Sequence, residues 1–240
     1  MKLLLTSDLH YNKNNHSILE SFFFKIKEEN PDIIIIAGDI ISSNQYEWEK
    51  VFGLLRYIIE KIPVFIIKGN HDFWNESESL KIITYSQLEL YQSIILNKYN
   101  IHYLQEKAYE DETIKIQGFN GWYKYIPYSN DSNYLINKYD KDCHKFFMKI
   151  SNDNFYNVLD GVSKKKINIL VTHFNCISQF DDESNYKMHG DFSYMDFIKD
   201  NFDYLIFGHT HKELDIMVDK CHVLNPGSDY NNPKYKIIGI

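Results

Sequence analysis

Ile33-Ile34-Ile35-Ile36-Ala37-Gly38-Asp39 is the stretch that decides the fold. It is apolar at every position rather than at alternate ones, which suits a parallel strand covered on both faces, and it stops at a glycine and a carboxylate. Two similar runs flank it. Lys2 to Ser7, with Leu3-Leu4-Leu5 at its centre, leads into Asp8-Leu9-His10, and Val64 to Ile67, opened by Pro63, leads into Gly69-Asn70-His71-Asp72. Between the first two runs, Ser17 with Glu20 reads as a capping-box start for a helix to about Glu29, halted at Asn30-Pro31. Between the next two, Tyr46 to Lys61 spaces Trp48, Phe52, Leu55 and Ile59 at helical intervals. Strand, helix, strand, helix, strand is an α/β pattern, and ligands of open α/β sheets bind beyond the carboxyl ends of the strands. The polar motifs stand at those ends.

Further along, Glu76 to about Tyr99 reads as a long helix, followed by strands Ile101 to Tyr109 and Thr113 to Gly118 joined at Glu110-Asp111-Glu112. Residues 118 to 127 are aromatic and loop-like. The polar, aromatic stretch from Tyr128 to about Asp160, with a helix from Lys138 to Ile150, is expected to be an insertion beside the site, at about 120–165. Ile167 to Thr172 and Tyr204 to Phe207 are again dense apolar strands, ending in His173 and in Gly208-His209-Thr210-His211; a polar loop, 178 to 194, connects them. Val223-Leu224 leads into the turn Asn225-Pro226-Gly227-Ser228. At 240 residues and 44% hydrophobic, the chain can fill one core, so a single domain over 1–240 is expected.

Composition excludes several function classes. A net charge of -7 and a pI near 5.8 argue against a chain-wide nucleic-acid surface, because nonspecific phosphate affinity needs clustered cations. Arg56 is the sole arginine and lies far in sequence from every motif, which removes a bidentate guanidinium clamp on phosphate. Cys143, Cys176 and Cys221 form neither a disulfide framework nor a CxxC zinc pattern; reduced thiols in a cytosol are expected, with Cys176 a buried inert thiol rather than a soft ligand. Neither a signal peptide nor an apolar run of the roughly 18 residues that span a membrane is visible, so a soluble, cytoplasmic protein without membrane contact is expected.

The motif residues have a common chemistry. Asp8 and His10 can reach one cation if the chain turns after its strand, the two oxygens of Asp39 can bridge two cations, and His209 and His211 can serve different ions. Asn70 offers a neutral carbonyl oxygen. Nitrogen and oxygen donors without thiolate favour manganese, iron, zinc, cobalt or nickel over an all-oxygen magnesium or calcium site, with manganese taken first. Two divalent ions with two aspartates and a hydroxide leave roughly +1, which attracts phosphate oxyanions.

The set Asp8-x-His10, Gly38-Asp39, Gly69-Asn70-His71-Asp72, His173 and Gly208-His209-x-His211 resembles the calcineurin-like metallophosphoesterase superfamily, over nearly the whole chain. The resemblance implies a four-layer sandwich, two central β-sheets flanked by helices, with the metal site at the strand carboxyl ends. It implies Asp8, His10 and His211 on one metal, Asn70, His173 and His209 on the other, and Asp39 bridging. His71 would serve the leaving-group oxygen, and Asp72 would hold that ring or the loop. The implied reaction is hydrolysis of a phosphomonoester or phosphodiester by in-line attack of a hydroxide bridging two divalent metal ions.

After Gly38-Asp39 the chain reads Ile40-Ile41-Ser42-Ser43, not GDxxDRG, and Gly-Asn-His is followed by Asp rather than Glu, which argues against a Ser/Thr protein phosphatase. A small-molecule or nucleotide phosphoester is the expected substrate. Alternatives are a nuclease on the same fold, and a non-catalytic scaffold like the retromer component that resembles phosphoesterases. His189, Trp122 and Tyr123 could reach a pocket but are read as surface or packing residues. His16, His102, His144 and His222 are expected to be structural or exposed, and Asn225 to Ser228 to line the site through its backbone.

Overall fold

A computed structural model describes residues 1–74, 85–121, 143–177 and 192–240. In chain order the elements are β1 (Lys2–Thr6), α1 (His16–Glu28), β2 (Ile33–Ala37), α2 (Glu47–Ile59), β3 (Val64–Ile67), the single turn α3 (Asn70–Phe73) and α4 (Tyr85–Lys98). Then come β4 (Ile101–Tyr103), β5 (Tyr109–Glu110), β6 (Ile114–Gly118), α5 (Cys143–Asp160), β7 (Ile167–Val171), α6 (Tyr194–Asn201), β8 (Tyr204–Ile206), β9 (Leu214–Val218), β10 (Cys221–Asn225) and β11 (Lys236–Gly239).

The strands form two mixed sheets, ordered β11-β1-β2-β3-β4 and β5-β6-β7-β8-β10-β9. Within the first, β1 to β4 are parallel and β11 runs antiparallel along β1. In the second, β6, β7, β8 and β10 are parallel, with β5 and β9 antiparallel at the edges. All five residues of β2 are buried, as an every-position apolar run requires.

Burial sorts the sheets into layers. Ile169 and Val171 of β7, Ile206 of β8 and Leu224 of β10 join one core with β1, β2 and β3 and with the apolar faces of α1 and α2. Their neighbours Leu170, Leu205 and Val223 point the other way, into a second core with Phe155 and Val158 of α5 and Tyr194 and Ile198 of α6. This alternation across a parallel sheet gives helix, sheet, sheet, helix, as expected.

Three local expectations are corrected. The run Ile101 to Tyr109 is not one strand: Ile101–Tyr103 pairs with β3 in the first sheet, and Tyr109–Glu110 pairs with β6 in the second. Helix α1 begins at His16 with Asn15 before it and without a side-chain cap, because Asn15 Oδ1 accepts from Asn12 N–H at 2.9 Å instead. Helix α5 extends to Asp160, ten residues past the expected end at Ile150. The first part of the helix expected from Glu76, residues 138–142, Trp122, Tyr123, His189 and the His144 side chain lie outside the described residues, as does most of the 178–194 loop.

Candidate metal centre

Every motif residue is delivered by the end of a parallel strand. Asp8 and His10 follow β1, Asp39 follows β2, Asn70 follows β3, His173 follows β7, and His209 and His211 follow β8. The two sheets are joined across this edge: His209 N–H donates to Asp8 Oδ1 at 2.9 Å, and His173 Nδ1 lies 2.9 Å from Ala37 O. The centre therefore straddles both sheets.

Three groups of potential ligand atoms converge: Asp8, His10 and His211; His10, Asp39 and His71; and Asp39, His173 and His209. Asp39 offers one oxygen to each side, with Oδ2 3.7 Å from His10 Nε2 and Oδ1 3.4 Å from His173 Nε2. Asn70 Oδ1 lies 3.1 Å from both His173 Nε2 and His209 Nδ1. On the other side His10 Nε2 faces His211 Nε2 at 3.3 Å, and Asp8 Oδ1 is 3.6 Å from the same His211 nitrogen. All seven expected ligand positions are brought together.

The partners of the imidazoles decide which nitrogens are free to bind. His173 Nδ1 is 2.9 Å from Ala37 O and His211 Nδ1 is 2.9 Å from Asp229 Oδ1, so in each ring a proton belongs on Nδ1 and the Nε2 lone pair faces the centre. His10 Nε2, the His211 and His173 Nε2 atoms and the carboxylate oxygens thus form a set of donors that a cation among them would satisfy together. The donor set fits divalent ions of the mixed nitrogen and oxygen type.

Electrostatics of the polypeptide alone point the same way. Burial pushes Asp8 up to about 6, and Asp39 adds to it against the neighbouring histidines. Burial would also raise Asp39, but His173, His71 and His10 outweigh it and hold this carboxyl well below its usual range. Burial lowers His10 to about 3 and takes His209 well below normal, whereas at His173 the Asp39 charge overcomes burial and raises it to about 9. Clustered acids and bases that frustrate one another's protonation are what a bound cation relieves.

Glycines make room for this packing. A Cβ on Gly38, at φ +85°, would lie 2.4 Å from His173 Nδ1, and one on Gly208 would lie 2.7 Å from both Asp8 Oδ2 and Ala37 O.

The structure separates the two options for Asp72. Its Oδ1 accepts from Ile40 N–H at 3.0 Å and Ile41 N–H at 3.2 Å, and its Oδ2 from Gly69 N–H at 2.8 Å. The carboxylate thus ties the turn after β3 to the turn after β2. It holds the loop. Burial, with Asp39 adding to it, raises Asp72 to about 7 despite those amides. Gln45 and Gln92 extend the brace by donating to Asp72 O at 3.0 and 2.7 Å. His71 donates its backbone N–H to Asp39 Oδ1 at 2.9 Å, while its ring sits 4.5 Å from His10 and 4.0 Å from Trp74, centroid to centroid.

Several neighbours escaped sequence reasoning. Ser7 Oγ donates to Asp8 Oδ2 at 2.5 Å, Asp229 pairs with His211, and Tyr230 stacks on His10 with centroids 4.2 Å apart. Asn225 acts through its side chain, not only its backbone: Nδ2 donates to Gly208 O at 2.9 Å and to Thr210 Oγ1 at 3.1 Å. Among the described residues, three further histidines are outside the centre, with His16 on Tyr11, His102 stacked on Phe65 and His222 paired with Asp215. Cys176 and Cys221 are buried free thiols.

Comparison with known proteins agrees with this geometry. The D component of the nuclease SbcCD from Staphylococcus epidermidis is 27% identical over 243 aligned residues, covering 90% of this chain; the chain spans 58% of that relative's length. The crystal structure of phosphopantetheinyl hydrolase from Mycobacterium tuberculosis superposes with a TM-score of 0.72 at 18% identity, covering 96% of this chain and 90% of the other. A dimetal phosphatase from Danio rerio superposes at 0.58 and 10% identity, covering 94% and 86%. At those identities the two structures speak for the fold. The family model for calcineurin-like phosphoesterases matches residues 1–213, which include every residue of the convergent ligand set, and the chain belongs to that family.

Proposed function

We propose that the protein is a dinuclear metal-dependent phosphoric ester hydrolase, a single domain over 1–240 with a pocket-side insertion at about 120–165, of which 122–142 lie outside the described residues, acting in the cytoplasm on a small-molecule or nucleotide phosphoester. The observation that carries this reading is the position of Asp39, whose two oxygens face two different imidazole groups. In this reading Asp8, His10 and His211 hold one ion, Asn70, His173 and His209 the other, and Asp39 both, with manganese the first choice among the divalent metals. Bound there, two such ions would supply Lewis acidity and lower the pKa of water from about 15.7 toward about 7. The chain's own groups do the rest. The His71 ring, lowered by burial, is placed to serve the leaving-group oxygen, and Asp72 keeps the His71 and Asp39 turns in register.

A nuclease is the second reading, favoured by the sequence likeness to the SbcCD component. One experiment addresses both. Purified protein loaded with manganese, iron, zinc, cobalt or nickel is assayed on mono-, di- and cyclic phosphoesters and on single- and double-stranded DNA, with Asp39→Asn as control. The proposal expects turnover of small esters that falls by about a hundredfold or more in the variant. Turnover confined to DNA selects the nuclease, and absence of turnover with every metal, or near-normal turnover by Asp39→Asn, refutes the assignment.

A further inference from the structure

We infer that Tyr230 is a stacking platform for a planar group on the leaving side of the substrate, so that the enzyme prefers phosphoesters of nucleosides over those of plain sugars or polyols. The inference rests on the phosphoesterase reading and deepens it. Tyr230 lies over the metal centre: its ring stacks on His10 at 4.2 Å and 21°, is 5.3 Å from His211, and stands edge-on to His71 at 6.3 Å. Its neighbour across His71 is Trp74, at 4.0 Å from that imidazole. The group assigned to the departing oxygen is therefore flanked by aromatic rings. Tyr230 is nonetheless 47% exposed.

The ring packs on His10, and the backbone that carries it is anchored on both sides. Tyr230 N–H donates to Asp229 Oδ1 at 2.8 Å, the same oxygen that meets His211 Nδ1. Its carbonyl accepts from Asn15 Nδ2 at 3.2 Å, and that amide, in a residue only 1% exposed, also donates to His10 O at 3.0 Å. Asp229 and Asn232 close the turn with reciprocal backbone bonds of 3.2 and 2.8 Å. An aromatic surface fixed this way loses little freedom when a ligand stacks on it. The sole arginine, Arg56, donates to the carbonyls of Tyr99, Glu60, Ile62 and Asn100, away from the centre, so selectivity beyond the phosphoryl group must come from other contacts. Base stacking on an aromatic side chain is one such contact, and every base offers a π face.

The test uses esters that differ only in the base. Values of kcat/KM are measured for adenosine 5′-monophosphate against ribose 5-phosphate, and for 3′,5′-cyclic AMP against the matching cyclic ribose phosphate, with wild type, Tyr230→Ala and Tyr230→Phe. Equilibrium binding of adenosine 5′-monophosphate and ribose 5-phosphate is measured in parallel. We expect the wild type to favour the base-bearing ester by roughly tenfold or more, Tyr230→Ala to bring that ratio toward one, and Tyr230→Phe to keep it. A ring that only shields His10 would alter both esters of a pair together and leave the ratio unchanged. A wild-type ratio near one, or an undiminished ratio in Tyr230→Ala, overturns the inference. Turnover of neither ester, together with none on the wider panel of mono-, di- and cyclic phosphoesters, refutes the phosphoesterase reading; whenever neither ester is turned over, the binding ratio decides Tyr230 by the same criteria.

Discussion

Substituting Gly69 by alanine isolates the packing on which the centre depends. Gly69 has φ -99° and ψ -174°, an extended conformation open to any residue, so the substitution introduces no backbone conflict. The added methyl is the perturbation. Its Cβ would lie 2.2 Å from Asp39 Oδ1, 2.6 Å from Asp39 N and 2.6 Å from His173 Nε2, whereas ordinary contact begins at 3.4 Å. The carboxylate and the ring must each retreat by about 1 Å, and displacement of a reacting group on that scale costs about a hundredfold in rate. Overpacking should cost about 1–3 kcal/mol, which for a chain of this size lowers Tm by roughly 2–12 °C. The assay pairs turnover of a chromogenic phosphoester with calorimetric titration of manganese and circular dichroism. Near wild-type turnover with two ions still bound would refute the claim that Asp39 and His173 close the centre against Gly69.

Three further outcomes are expected. His71→Ala should retain both metals by elemental analysis while kcat falls by about 10²–10⁴-fold, because its ring is assigned to the leaving group and not to an ion; metal loss would contradict the role. Arg56→Ala should leave metal stoichiometry intact but lower stability by roughly 2–3 kcal/mol in urea unfolding, since four loop carbonyls lose their donor. A stability change below about 0.5 kcal/mol would show that those bonds contribute little. Saturating a site with metal at a hundred times its Kd should add about 2.7 kcal/mol, roughly 5–11 °C in Tm, and a chelator should reverse it. An unchanged Tm under metal concentrations that saturate turnover would exclude binding to the folded state as described.

How much of this was legible depended on whether the signal was local. The strands β1, β2, β3 and β7 announce themselves as short runs apolar at nearly every position because both faces of each are covered. The motif residues were legible for the same reason: polar groups abruptly ending such runs have few structural uses. Edge strands were less so. Leu214–Val218 buries Leu214 and only half-buries Ile216 and Val218 at the rim of the second sheet, and Lys236–Gly239 carries only Ile238 into the core. The division of Ile101 to Tyr109 between sheets could not be read, because pairing partners are set by residues distant in sequence. Asn15 shows local propensity losing to other demands: the Oδ1 that could cap α1 accepts from Asn12 N–H, while the Nδ2 joins His10 to Tyr230. Asp229 and Tyr230 enter the centre only because the chain returns from β10, which no spacing rule near Asn225 to Ser228 conveys.

The backbone explains why paired ligands sit two residues apart. Among the described residues ten non-glycine positions have positive φ, and five of them are Asp8, His10, Asp39, His209 and His211. Left-handed backbone is disfavoured for L residues, least so for aspartate and asparagine. Having it at both members of Asp8-x-His10 and of His209-x-His211 turns the chain sharply after each strand, where these side chains converge on one centre. The tension is held by hydrogen bonds: Gly38 O on Asp8 N–H, Asp39 O on His10 N–H at 2.9 Å, and Asp8 Oδ1 on His209 N–H. Asp8 and Asp39 thus have two tasks, as candidate ligands and as acceptors that stabilise the turns presenting the other ligands. Strain of this kind persists only where the surroundings over-determine it, and it gathers at functional sites. Its concentration here, on both sides of Asp39, is an argument for the centre that is independent of which residue types occupy it.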